Sequence, residues 1–184
     1  ERSSYVHVVV DITEEKRNAR NLASEEYHDP NTGISNRMFF EEYMRIVLRD
    51  DQEATLSYLC VDGLEEVNER FGHQEGDEYI QNFVEIVKKN FRGGDTFARI
   101  GGNDFCLVLT GNMEELINRK LTSILKEFQE ETYRKYQCSF SYGIVEVMGK
   151  DNDMSLDEIL QEAKEGMLEC RERNLAKYPS LCAE

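Results

Sequence analysis

The chain of 184 residues predicts a mixed α/β sandwich, with a central sheet that holds an antiparallel hairpin and helices on its faces. Three observations predict it. Amphipathic stretches at helical spacing alternate with short apolar runs. Two of those runs, Thr96 to Ile100 and Phe105 to Leu109, are separated only by the segment Gly101-Gly102-Asn103-Asp104. A link that short closes an antiparallel hairpin and cannot make a parallel crossover. Finally, apolar residues make up 40% of the chain, enough for one compact core with little disorder.

The elements follow in order. Tyr5 to Val10 is a β-branched run that suits a strand. Asp11 with Glu14 looks like a helix N-cap and its capping-box partner, and a highly charged helix is expected from Thr13 to about Glu26. With so few apolar positions it would be marginal alone, which suits a connecting stalk. The text Val8-Val9-Val10-Asp11-Ile12-Thr13-Glu14-Glu15-Lys16 resembles the end of a PAS sensor domain, so the chain is expected to begin inside a longer protein. Asp29-Pro30-Asn31-Thr32-Gly33 is turn chemistry. A helix follows from Asn36 to about Leu48, with Phe39, Phe40 and Tyr43 as packing residues. Thr55 to Val61 reads as a strand and Leu64 to Arg70 as a second helix. Asp77, as N-cap, opens a long amphipathic helix to Phe91, after a turn bracketed by Gly72 and Gly76. Beyond the hairpin come a helix from Met113 to about Thr132, a strand from Gln137 to Val147 with Gly143 as a bulge, and a helix capped by Ser155 that runs to about Arg173.

Composition narrows the partners. A formal net charge of −15 repels nucleic acid and anionic membrane surfaces. A small nucleotide is still accommodated, because local loops and ions reverse the field at a site. No apolar run approaches the ~18 residues of a membrane span, and the N-terminus is not a signal peptide. Cys60, Cys106, Cys138, Cys170 and Cys182 show no CxxC spacing, so reduced, buried thiols in a cytoplasmic protein are expected. His7, His28 and His73 are too scattered for a zinc site.

The text with most chemical content is Cys60-Val61-Asp62-Gly63-Leu64, Asn68, and Phe71-Gly72-His73-Gln74-Glu75-Gly76-Asp77, followed by Arg92-Gly93-Gly94-Asp95 and Arg99-Ile100-Gly101-Gly102-Asn103-Asp104-Phe105. With Asp29-Pro30-Asn31-Thr32-Gly33-Ile34-Ser35-Asn36-Arg37 ahead of it, this ordered set resembles the GGDEF domain family from about Asp29 to Arg173. The expected layout is therefore an upstream PAS-like tail and linker helix over 1–28 and a GGDEF domain over 29–184, with a nucleotidyl-cyclase, palm-like fold. The resemblance implies a diguanylate cyclase ancestry. Two such domains, each with one GTP, meet face to face and form cyclic di-GMP. Divalent ions at the triphosphate are held by an Asp at the end of the first strand, by the carbonyl of the next residue and by the acid in the third position of the hairpin signature. Carboxylates suit that task because Mg²⁺ demands hard oxygen ligands.

Carried across by position, the resemblance gives Asn68 and Asp77 the guanine contacts, and gives Gly101 and Gly102 the close backbone approach to the nucleotide. Arg171 matches a phosphate-binding Lys, and Leu175 replaces a phosphate-binding Arg. Arg92 and Asp95 match the inhibitory RxxD site for cyclic di-GMP, against the bland reading of a solvated pair. The metal positions depart. Cys60 stands where the strand-end Asp belongs and Asn103 where the hairpin acid belongs. A thiol is soft and an amide is neutral, so no metal ligand set and no catalytic residue is assigned. Asp62 and Asp104 remain beside Cys60 and Asn103, which leaves a displaced ion as an alternative. His73 is read as a local hydrogen-bonding residue, and Glu65-Glu66 and Glu130-Glu131 as solvated faces.

Three functional readings follow. The first is a regulatory module that binds GTP or cyclic di-GMP without cyclase activity, through Asn68, Asp77, Gly101, Gly102, Asn103, Asp104 and Arg171, with Arg92 and Asp95 as an allosteric site. Mg²⁺ or Mn²⁺ enters only with a bound nucleotide. The second is a weak diguanylate cyclase that uses Asp62 and Asp104. The third is a ligand-free dimerisation or docking domain, paired through the linker helix.

Overall fold

The computed structural model of the chain describes residues 26–50, 52–130, 135–148 and 154–177. The strand expected at Tyr5 to Val10, nearly all of the stalk helix, the PAS-like text, His7, Glu131 and Cys182 lie outside the described residues.

Ten elements follow one another: β1 (Ser35–Asn36), α1 (Arg37–Arg49), β2 (Ala54–Val61), α2 (Leu64–Phe71), α3 (His73–Asn90), β3 (Thr96–Arg99), β4 (Asp104–Thr110), α4 (Glu114–Gln129), β5 (Phe140–Val147) and α5 (Leu156–Lys177). The strands form a single sheet in the order β1-β3-β4-β2-β5. β1 pairs with β3 in parallel, and the remaining neighbours are antiparallel, so the sheet is mixed as expected.

β2 is central and every one of its residues is buried. Its alternation sorts two cores. Leu59 and Val61 face a layer built from α2, α3 and α4, in which Tyr79, Phe83, Phe105, Phe128 and Phe140 pack ring on ring. Leu56, Tyr58 and Cys60 face α1 and α5, against Phe40, Met44, Ile159, Ala163 and Met167. The hydrophobic area of both faces is thereby removed from water, which is the main stabilising term of such a sandwich.

Three local departures from the sequence expectation have physical causes. α3 begins at His73, four residues early, because Gly72 (φ +90°) ends α2 and starts α3 by itself. Only glycine takes that backbone without strain. Asp77 therefore lies inside a helix and is no N-cap. Gly143 is not a bulge. It pairs in register with Tyr58, and its missing side chain admits α5. A Cβ there would sit 2.0 Å from the Ala163 carbonyl oxygen and 2.5 Å from the Met167 nitrogen. Gly143 and Gly166 thus let strand and helix backbones touch, which sets the height of α5 over the sheet. The third departure is β1, whose two residues are too short to leave a periodic signal.

The helix ends obey their caps. The Asn36 side chain accepts from the Phe39 N–H at 3.0 Å. Ser155 and Glu158 form a reciprocal box, with the Ser155 N–H donating to Glu158 at 2.7 Å.

Candidate functional site

The carboxyl end of β2 is where three separated segments converge. Asn103 arrives from the β3–β4 turn, Ser139 and Ser141 from the start of β5, and Arg171 and Asn174 from the last turns of α5. Helical spacing places Arg171 and Asn174 on one face, and strand alternation places Ser139 and Ser141 on one face.

Asp62 is 5% exposed, and its carboxylate is fully engaged. It accepts from Ser139 Oγ (3.1 Å), from Ser141 Oγ (2.8 Å) and from Arg171 Nε (3.0 Å). The same guanidinium reaches Cys60, with Nη2 2.7 Å from Sγ. Asn103 Nδ2 lies 3.2 Å from that sulfur and donates to the Val61 carbonyl at 2.9 Å. Asn174 Nδ2 closes the far side on Ser141 Oγ (3.1 Å) and the Phe140 carbonyl (3.2 Å). Beneath them the buried Tyr79 hydroxyl lies 3.0 Å from the carbonyl oxygens of Asp62 and Ser139 and accepts from the Ser139 N–H.

Burial, reinforced by the nearby Asp104 charge, pushes the Cys60 thiol up to about 12, and the partial relief from Arg171 does not reverse it. Cys60 is therefore a neutral thiol at ordinary pH. The Arg171 guanidinium is held above its usual range. Burial opposes its charge, but the Asp62 carboxylate and the hydrogen bonds to Asp62 and Cys60 outweigh that cost.

These residues do not fit a hard divalent ion. The thiol is protonated and soft, and the amide of Asn103 turns its N–H₂, not its oxygen, toward the Val61 carbonyl. The fallback through Asp62 and Asp104 would have to compete with the bonds that Asp62 already makes. Asp62 meets two serines and an arginine, and among the described residues no group of three or more His, Cys, Asp or Glu side chains is placed to hold an ion.

Beside this cluster lies an open cleft of about 460 Å³ lined by Tyr58, Gly101, Asp104, Arg37 and Lys164. On the other side of the hairpin tip a cleft of about 440 Å³ is lined by Asn68, Glu65, Glu69, His73, Gly102 and Asn103. Asn68 and the hairpin are thus brought together as the sequence implied. Gly76 makes room for this, since a Cβ there would meet Asn68 Oδ1 at 1.9 Å. Asp77 does not line that cleft. It is exposed and accepts from Asn31 Nδ2 at 2.7 Å. Glu65 is exposed, as expected of a solvated face, and also lines the cleft.

The hairpin is held in place by Arg99. Its Nε and Nη2 donate to the Gly102 carbonyl (3.1 and 2.6 Å), and Nη1 to Asp29 (3.1 Å). Asp29 also accepts from Thr32 N–H and Oγ1. Burial opposes its charge, but these bonds together hold its carboxyl below the usual range.

Arg92 and Asp95 stand apart from the cluster, on a cavity of about 250 Å³ shared with His28, Ser35, Lys88 and Phe91. They are tied through the backbone: Arg92 N–H donates to Asp95 Oδ2 (2.9 Å) and Asp95 N–H to the Arg92 carbonyl (3.0 Å). The Arg92 guanidinium stays on the surface.

A mixed sheet with a Gly-Gly hairpin tip beside a helix-bounded cleft defines a nucleotidyl-cyclase-like domain. The chain belongs to the GGDEF domain family: the family model described as "Diguanylate cyclase, GGDEF domain" matches residues 26–176. Among curated relatives, the probable diguanylate cyclase DgcE of Escherichia coli (strain K12) is 28% identical over 166 residues, which is 86% of this chain and 15% of that protein. The diguanylate cyclase TpbB of Pseudomonas aeruginosa is 36% identical over 92 residues, 48% of this chain and 21% of its own length. The chain thus spans a minor part of these relatives. Among solved structures, the coiled coil and GGDEF domain of DgcB from Caulobacter crescentus, in complex with c-di-GMP, superposes with a TM-score of 0.77 at 16% identity, over 89% of this chain and 90% of that one. The FimX GGDEF domain from Pseudomonas aeruginosa gives 0.72 at 19% identity, over 80% and 94%. These two share the fold with this chain.

Proposed function

We propose that this domain is a regulatory GGDEF module that binds GTP or cyclic di-GMP and does not run the cyclase reaction. The observation that carries the reading is the mutual bonding of Cys60, Val61, Asn103 and Arg171. The positions that the family resemblance assigns to metal ligands satisfy one another. Phosphoryl transfer between two triphosphates needs charge neutralisation at the reacting oxygens, and a neutral thiol and amide do not hold the ion that supplies it.

Nucleotide recognition has separate support. Asn68 and the Gly102–Asn103 tip share one cleft, and the Glu65 and Glu69 carboxylates on its wall suit the N1–H and amino donors of guanine. Arg92 and Asp95 line a second cavity that suits cyclic di-GMP, with Lys88 adding a cation for phosphate. A signalling role in a cyclic di-GMP system follows from the family together with these two cavities.

Calorimetric titration with GTP and with cyclic di-GMP tests the reading. Binding of either, with no cyclic di-GMP formed from GTP and Mg²⁺, is the expected result. Silence with both nucleotides at millimolar concentration overturns it and leaves the docking-domain reading.

The names of the curated relatives favour a second reading, an active diguanylate cyclase. Chromatographic detection of sustained cyclic di-GMP production that is lost in Asp104→Ala supports that reading over the first.

A further inference from the structure

The charge balance at the end of β2 carries a further inference, which rests on the nucleotide-binding reading above. Relative to two carboxylates and one divalent ion, the pair Cys60 and Asn103 lacks two negative charges. With two fewer negative charges, this end of β2 calls for less cationic charge than a site with both acids. The substitutions are therefore electrostatically consistent as a set, provided that any remaining local charge is matched by another cation.

That cation is present. Arg171 is anchored on one side by Asp62 at 3.0 Å and on the other by Cys60 Sγ at 2.7 Å. Asp62 is in turn fixed by Ser139 and Ser141, so the guanidinium cannot swing without breaking a buried carboxylate network. Its side chain is nonetheless 31% exposed. A guanidinium carries five N–H donors, and the two anchors use only Nε and part of Nη2, which leaves Nη1 for an incoming oxygen. Arg171 and Asn103 meet on the same sulfur, and Asn103 lines the Asn68 cleft. A planar, permanently charged fork suits phosphate oxygens.

We propose that Arg171 is the resident cation of this site, and that the domain recognises the phosphates of a guanine nucleotide without a divalent ion. Cys60 and Asn103 act as positioning residues that orient the fork. The ligand class is a phosphate-bearing guanine nucleotide whose phosphates reach the hairpin tip.

The experiment titrates the unmodified chain with GTP twice, once in Mg²⁺ and once in EDTA, and separately follows the electron paramagnetic resonance signal of Mn²⁺ added alone. The expected result is GTP affinity equal within about twofold in the two buffers, an Mn²⁺ signal that stays free, and at least a tenfold loss of affinity in Arg171→Ala in EDTA. Asn103→Ala, which leaves Arg171 and Asp62 in place, is expected to weaken GTP a few-fold in EDTA. Affinity that appears only with Mg²⁺, or Mn²⁺ bound by the chain alone, overturns the inference and leaves the regulatory reading intact. No affinity for GTP or cyclic di-GMP in either buffer overturns both.

Discussion

If Arg171 and Asp62 form a coupled pair, a double-mutant cycle between them measures that coupling. The perturbations are Arg171→Ala, Asp62→Asn and their combination. Removing one partner of a fully buried ion pair costs ~3–5 kcal/mol, because the other charge is left uncompensated. Two features reduce that figure here. The Arg171 side chain is 31% exposed, so water screens part of the charge, and Asp62 keeps its two serine hydroxyls. The expected loss for Arg171→Ala is therefore about 2 kcal/mol, a fall in Tm of about 4–8 °C for a domain of this size. In Asp62→Asn the amide keeps a partner in the serines, but the guanidinium loses its counter-charge. The double variant should cost at least about 1 kcal/mol less than the sum of the singles. Urea unfolding followed by circular dichroism supplies all four free energies. Additivity within about 0.5 kcal/mol would refute the claim that the pair organises this end of the sheet.

Other perturbations probe neighbouring parts. Gly143→Ala forces a Cβ to within 2.0 Å of the Ala163 carbonyl oxygen, so α5 must lift off β5; a loss of about 3 kcal/mol in urea melts is expected, at the upper end of the range for overpacking. Gly76→Ala displaces the Asn68 side chain, which its Cβ would meet at 1.9 Å. It should weaken guanine nucleotide binding by calorimetry, with a smaller loss of stability than Gly143→Ala, since Asn68 is a side chain free to turn. The pH dependence follows from Cys60, whose thiol rises from 9.0 in the open chain to about 12 when folded. Folding favours its neutral form, so this contribution is complete below pH 9 and disappears as pH climbs from 9 toward 12. Cys60→Ser should flatten that alkaline decline in urea midpoints, and an unchanged slope would count against the assignment. Asp29 acts at the other end of the scale: its carboxyl lies below 3.8, so its contribution is present above that value and is lost as pH falls through its folded pKa.

Much of this architecture is legible in the sequence because it rests on periodicity and turn chemistry. The helices α1, α4 and α5, the strand β2 and the hairpin around Gly101-Gly102 all follow from those two signals. The seats at Cys60 and Asn103 are what the family resemblance implies, the first by counting back from Gly72-His73 and the second as the third position of the hairpin signature. What fills those seats is not legible. Nothing local says that Asp62 is claimed by serines more than seventy residues away, or that Arg171 turns back onto it, since such contacts depend on sheet order and on the height of α5. A faint signal exists after the fact: Ser139 and Ser141 share a strand face, and Arg171 and Asn174 share a helix face. Asp77 is no N-cap because α3 starts four residues early at Gly72, a backbone event that hydrophobic patterning does not register.

The guanidinium lodged between Cys60 and Asp62 makes this arrangement hard to undo one residue at a time. A carboxylate placed at position 60 would land within reach of the Arg171 guanidinium, whose Nη2 lies 2.7 Å from the Cys60 sulfur. A carboxylate at position 103 could not donate to the Val61 carbonyl, the bond that Asn103 makes at 2.9 Å. Changes at chain positions 60, 103 and 171 are therefore expected to be coupled, since all three side chains meet on one sulfur.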